Sequence, residues 1–346
     1  MKRRLNIYRN MMSGVAQMLP FVVAGTIFIA LAFIFDASNA GTISYGSGTA
    51  IAAWFHDTGT LVMGFMLPVL GGYIAFSIAD RPGLVPGFAA GALAATGGSG
   101  FIGALIGGFL AGYIVLLLVK LFSKLPKSMS SINAILLFPV FGTLLAALPM
   151  LGINILVTPL TEGLQSFLNN LSGTSAIIIG FVAGAMMAIY MGGPINKLAY
   201  LVGVASITSG VSSSLMAAVM AGGMTPPLGI ALATLLFKNK FTKEQKKQGK
   251  TNWITGASFV TEGAIPFADA NPKAVMPSII IGSAIAGAVI GLFGTSVPAP
   301  HGGVFVIFIM HNWWGFIIAL ISGMVVTAML LRILLPNAID ENTKTS

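Results

Sequence analysis

Cysteine is absent from the 346 residues, and charge is scarce. Without a thiol the chain can make no disulfide, no thiolate nucleophile and no cysteine metal site. Charged residues make up 8% of the sequence, against about 25% in a soluble domain. So few ions cannot clothe a water-facing surface, which excludes an ordinary soluble globular protein. Acids are the scarcest, with nine Asp and Glu against 18 Lys and Arg and a net charge of +9. That excess does not read as a nucleic-acid face. The cations cluster between apolar runs, as topology signals do, instead of spreading along one surface. The three histidines lack metal-ligand spacing, so neither a metal nor another cofactor is expected.

What is there is apolar. Hydrophobic residues are 56% of the chain, and the mean hydropathy is +0.92. A run of roughly 20 apolar residues crosses a bilayer, so the length allows about ten crossings. The 43 glycines suit close helix approach inside a membrane. The expected fold class is therefore all-α and polytopic, with about ten transmembrane helices and re-entrant hairpins.

Charge placement orders the spans. The start, MKRRLNIYRN, is basic and leads into the apolar run Met11–Phe35. That run is too long for a signal-peptide core, and it reads as a first span with Lys2, Arg3, Arg4 and Arg9 on the cytoplasmic side. Residues 36–58 and 152–175 hold no Lys or Arg and read as outer loops. Further spans are expected at residues 60–78, 101–119, 132–151, 176–191, 198–210, 214–237, 276–294 and 304–335, with a short glycine-rich piece at 83–96. The segment KNKFTKEQKKQGK, Lys238–Lys250, holds six lysines and one acid, and it reads as a solvated cytoplasmic loop. Residues 253–267 carry Thr261, Glu262, Gly263 and Pro266 and are expected to re-enter. Irregular polar backbone survives at membrane depth only where protein or a wet cavity surrounds it. That count puts both termini in the cytoplasm.

Few ions lie at membrane depth, and such residues are functional candidates by default. Glu262, in FVTEGAIPF, can accept hydrogen bonds from the hydroxyls of a ligand and take a proton from one. A structural ion pair with Lys197 is the plainer role. MGGPINK places Gly192, Gly193 and Pro194 as a helix break, with Asn196 as donor and acceptor and Lys197 beside it. The plainer role for Lys197 is reaching for the interface. His301 lies in PAPHGG before Gly302, where a neutral imidazole both donates and accepts. Asp80 and Arg81 form a self-neutralising pair or a functional one. Paired Gly/Pro-interrupted apolar segments, here GGPINK and TEGAIPF, are pointers to a transporter's binding site.

At these motifs the chain resembles the membrane-spanning C component (EIIC) of fructose-family phosphotransferase transporters. Five ordered blocks carry the resemblance: MLPFVVAGTIFIALAF, YIAFSIADRPGLVPGFAAG, MGGPINKLAY, FVTEGAIPFADANP and PAPHGGVF. It implies an inner-membrane homodimer, residues 1–175 as interface scaffold and 176–346 as a mobile sugar-binding half moving like an elevator. It implies a sugar site lined by Glu262, Thr261, His301, Gly302 and the turn Gly192, Gly193, Pro194, Asn196 and Lys197, with Glu262 holding the hydroxyl that is phosphorylated. The phosphoryl group would come from phosphoenolpyruvate through A and B components (EIIA, EIIB). As this chain has no cysteine, the cysteine-bearing B component is expected on a separate polypeptide, with Lys238–Lys250 as its landing surface. Two positions depart from the family pattern. Tyr190 stands before MGGP where Asp is usual, and Asn271 precedes Pro272 where Asp is usual. An ion-coupled sugar transporter and a membrane sugar sensor are the alternatives.

Overall fold

The computed structural model describes residues 6–39, 44–123, 132–169, 173–207 and 212–338. Lys2, Arg3 and Arg4, used above as topology signals, lie outside them. The chain divides into two compact units, Met1–Ser166 and Phe167–Ser346. Among the described residues the structure is helical, with two isolated β-bridges and no strand.

In the first unit α1 (Ile7–Phe35) begins at Asn6, whose side chain accepts from Arg9 N at 3.0 Å. α2 (Ala50–Gly64) and α3 (Met66–Ala79) follow one another across Phe65, so the expected loop at residues 36–58 is already helical from Ala50. α4 (Leu84–Thr96) and α5 (Gly100–Phe122) pack on α3. The turn after α1 is tied by Asp36. Its Oδ2 accepts from Gly46 N at 2.7 Å and Gly48 N at 2.9 Å, and its Oδ1 accepts from Asn39 Nδ2 at 2.7 Å. The Asn39 amide, then the glycine N–H groups, hold the Asp36 carboxyl below the usual carboxylate range, against the opposing pull of its burial.

A five-residue π turn, Asn133–Leu137, leads into α6 (Phe138–Asn169). The outer loop expected from residue 152 is thus helical as far as Asn169. Its polar residues bond within the fold. Asn154 Nδ2 donates to Leu93 O at 3.0 Å, Thr158 Oγ1 to Gly97 O at 3.1 Å and Thr161 Oγ1 to Val157 O at 3.1 Å.

The second unit is built around α9 (Ser214–Leu236), which is buried along almost its whole length. A helix apolar on every side belongs in a core. α7 (Gly173–Ile189), α12 (Pro272–Phe293) and α13 (Trp313–Leu334) pack against it. α7 and α12 also pack on each other through small residues. A Cβ at Gly180 or Gly184 would strike the carbonyls of Gly287 and Ser283. Such close approach is the membrane substitute for a hydrophobic drive between helices.

The lysine segment is also ordered. Lys238–Lys240 forms a short 3₁₀ turn, and α10 (Lys243–Ala257) starts with a capping box between Thr242 and Gln245. The solvated-loop expectation therefore gives way to a capped helix. The apolar stretch 304–335 is broken too, into a 3₁₀ turn (Gly303–Ile309) and α13, with Asn312 at φ +52° between them.

Among the described residues seven helical segments are long and apolar enough to cross a membrane: residues 7–35, 50–79, 100–122, 133–163, 214–236, 272–293 and 313–334. α7 is apolar but shorter, at 17 residues. The chain is a multi-pass membrane protein, and a count of ten does not follow from these segments.

Candidate functional site

Both interrupted segments lie in the second unit. The first is the junction of α7 with α8 (Pro194–Ala205). Gly193 N donates to Tyr190 O at 2.9 Å, closing the last turn of α7. Gly192 takes φ +69°, the left-handed conformation that glycine adopts without steric cost. Pro194 then opens α8, where its missing N–H removes nothing. Asn196 is buried, and its Nδ2 donates to Met187 O at 2.6 Å. That bond satisfies one of the orphan carbonyls at the end of α7. One of the amide's donors is therefore committed to the turn. Lys197 is half-buried on α8. The Tyr190 ring is exposed and lies against the Gly193 backbone.

The second segment follows α10. Ser258–Val260 turns the chain, Thr261–Ala264 is 3₁₀, and α11 (Ile265–Ala270) follows. Thr261 is buried, and its hydroxyl donates to Gly223 O of α9 at 2.9 Å, which pins the turn to the central helix. Glu262, the next residue, is exposed. A Cβ at Gly192 would lie 3.5 Å from Glu262 Oε1 and 3.5 Å from its Cγ. The carboxylate thus rests beside the left-handed glycine of the first break. Among the described residues no ion pair or side-chain hydrogen bond engages it, so the Lys197–Glu262 pair is not made.

His301 sits in the loop between α12 and the Gly303–Ile309 turn. Its Nδ1 accepts from Gly302 N at 2.8 Å. An accepting Nδ1 leaves the proton of a neutral ring on Nε2, which is then a donor. The imidazole packs on Phe259, with ring centroids 4.8 Å apart, and edge-on to Tyr200 at 6.2 Å. Gly303, at φ +58°, sits on the backbone between Ala257 and Phe259. The His301 loop and the Glu262 turn are thereby held to the same stretch of chain.

Asn271 caps α12, its Oδ1 accepting from Ala274 N at 3.3 Å, and Asn serves as well as Asp at that position. Asp80 and Arg81 are both exposed at the end of α3, and no ion pair joins them. Two cavities lie elsewhere. An open hollow of about 580 Å³ in the first unit is lined by His56, Asp57, Phe65 and their neighbours. A smaller one of about 140 Å³ lies between Lys240, Asn271 and Asn337. Sequence reasoning passed over Phe259, Tyr200 and the Thr261–Gly223 anchor, although Thr261 itself was named.

Chemically, the arrangement offers a free carboxylate, an imidazole N–H donor and a glycine-lined turn with open backbone around it. That set suits a neutral, hydroxyl-rich ligand. Residues 12–282 match the family model described as "Phosphotransferase system, EIIC". The chain is 43% identical over 327 residues to the PTS system fructose-specific EIIABC component of Bacillus subtilis, covering 94% of this chain and 51% of that relative. It is 38% identical over 354 residues to the PTS system fructose-specific EIIC component of Haloferax volcanii, covering 96% and 93%. It is 41% identical over 351 residues to the PTS system fructose-specific EIIB'BC component of Escherichia coli, covering 99% and 61%. The chain thus spans about half the length of the EIIABC relative and nearly all of the EIIC one.

Proposed function

The chain belongs to the phosphotransferase-system EIIC family, and from that premise we propose that it is a sugar permease subunit. It takes up a fructose-type hexose, coupled to phosphorylation from phosphoenolpyruvate, with the phosphoryl group delivered on a B component outside this chain. Relatives whose names join A or B components to a C component support those partners.

The observation that carries the reading is the Glu262 carboxylate beside Gly192, exposed and without a partner among the described residues. Such a group accepts a hydrogen bond from one sugar hydroxyl and orients it. Phosphoryl transfer asks of the protein mainly positioning and charge stabilisation. In the step, the sugar hydroxyl oxygen bonds to phosphorus, and the S–P bond to the B-component cysteine breaks. The cysteine leaves as thiolate, and the hydroxyl proton passes to Glu262. His301 supplies its Nε2–H to a second hydroxyl. Gly192, Gly193, Pro194 and Gly302 shape the backbone around the ligand, and Thr261 and Asn196 hold the two turns in place. Lys197, half-buried at the start of α8, attracts the incoming phosphoryl group.

The same reading makes residues 1–175 the scaffold of a homodimer and residues 176–346 the sugar-carrying half of an elevator, in a bacterial inner membrane with both termini cytoplasmic. The exposed lysines of α10 then face the side from which the B component arrives. Uptake by membrane vesicles tests the proposal. Fructose should accumulate as its phosphate only when phosphoenolpyruvate and the soluble carriers are supplied. Accumulation of free sugar under a proton gradient alone would replace it with an ion-coupled transporter.

A further inference from the structure

Tyr200 lies on α8, two turns beyond the Gly192 break. It is 8% exposed, and its hydroxyl oxygen is buried with no hydrogen-bond partner among the described residues. A hydroxyl buried this way carries its desolvation penalty with nothing to offset it. Phenylalanine would fill the same space without that penalty, so the fold alone gives no reason for the oxygen.

The surroundings do. The Tyr200 ring lies 6.2 Å from the His301 ring at an interplanar angle of 70°, and 6.2 Å from the Phe259 ring at 50°. Phe259 is held at φ +61°, a conformation uncommon for any residue but glycine. Gly303 is packed so tightly that a Cβ would come within 3.0 Å of Phe259 N. The three rings thus pack together where the end of α10 meets the His301 loop. Nδ1 of His301 accepts from Gly302 N, which leaves the proton of a neutral ring on Nε2. The cluster therefore holds one committed donor and one hydroxyl that can both donate and accept.

We propose that Tyr200 is a substrate-contacting specificity residue, its hydroxyl sharing with His301 Nε2–H a single hydroxyl group of the bound sugar. The sugar oxygen accepts from the imidazole and donates to the phenol oxygen, so the two side chains read one position of the ring. The Tyr200 oxygen is covered in this structure, and the contact needs a shift of the His301 loop. Gly302, at φ +123°, and Gly303, at φ +58°, hold that loop in backbone conformations that favour glycine. The inference rests on the sugar-site reading of Glu262 and His301.

Equilibrium binding of fructose and of its monodeoxy analogues to the purified full chain tests it, alongside thermal unfolding of the unliganded protein. Tyr200→Phe should bind fructose about tenfold more weakly, the worth of one such hydrogen bond. Its unliganded melting temperature should be unchanged or raised, since an unpaired buried hydroxyl is gone. For the one analogue that lacks the shared hydroxyl, wild type and variant should bind equally. Equal fructose affinity in wild type and Tyr200→Phe would overturn the inference while leaving the sugar site intact. A melting temperature lowered in Tyr200→Phe, with every sugar weakened alike, would also overturn it and make the residue a packing element. Failure of the wild type to bind any sugar in the panel would overturn the site reading and this inference with it.

Discussion

The Glu262 carboxylate rests against Gly192, with Oε1 3.5 Å from where a Cβ at that glycine would stand. Two interrupted helices far apart in sequence meet at this contact. One supplies a free anion and the other a backbone turn with no side chain in the way. Thr261, bonded to Gly223 O, sets the position of the first. Asn196, bonded to Met187 O, sets that of the second.

Gly192→Ala should weaken this arrangement from the backbone side. At 3.5 Å the new methyl is in ordinary contact with the carboxylate, so the cost comes from φ +69°. An L-residue there costs about 1–2 kcal/mol. The expected outcome is a lower melting temperature together with weaker sugar binding. Thermal unfolding with and without fructose measures both.

Asp36→Asn should destabilise the turn after α1 at neutral pH. The folded carboxyl titrates below its ordinary 3.8, so its stabilisation is complete above that value. It is lost as pH falls from 3.8 through the lower folded value. The difference in melting temperature between wild type and Asp36→Asn should therefore shrink only below the ordinary carboxylate value. A difference that stayed constant through that window would contradict the hydrogen-bonded ion.

Asn271→Ala should cost about 1 kcal/mol through loss of the cap on α12. Asn271→Asp should cost nothing, since either side chain accepts from Ala274 N. Thermal unfolding of the two variants in the same detergent decides between capping and a role in sugar choice.

Replacing Lys243, Lys247 and Lys250 by Glu should raise the apparent KM for the phosphorylated B component several-fold, with the maximal rate kept. All three are exposed on α10. The effect should fade at high salt, as steering by exposed charges does. Initial rates at low and high ionic strength measure it.

Much of the fold is legible in the residues. The long apolar runs of α1, α5, α9 and α12 announce themselves by length and hydropathy alone. The expectations that gave way did so for local reasons. Residues 152–169 read as part of an outer loop because they hold no Lys or Arg, yet they are helical, and Asn154, Thr158 and Thr161 each find a bond within the unit. Lys238–Lys250 looked like a solvated loop because of its charge, although Thr242 and Gln245 had the capping-box spacing. At the site, Glu262, His301 and the glycine break could be picked out as ions and breakers amid apolar sequence. Their mutual placement could not, because it depends on how α7, α8 and α9 pack. Tyr200 carried no chemical signal of its own. An unpaired hydroxyl is a property of the folded core, and LAY reads as an ordinary piece of helix.

The most direct test is phosphoenolpyruvate-dependent phosphorylation of labelled fructose by membranes carrying the chain, with the soluble carriers and B component supplied in excess. Glu262→Gln, inserted at the wild-type level, should lose activity by at least about 100-fold, the lower end of what a positioned acid–base group contributes. Wild-type rates from properly inserted Glu262→Gln membranes would contradict the account.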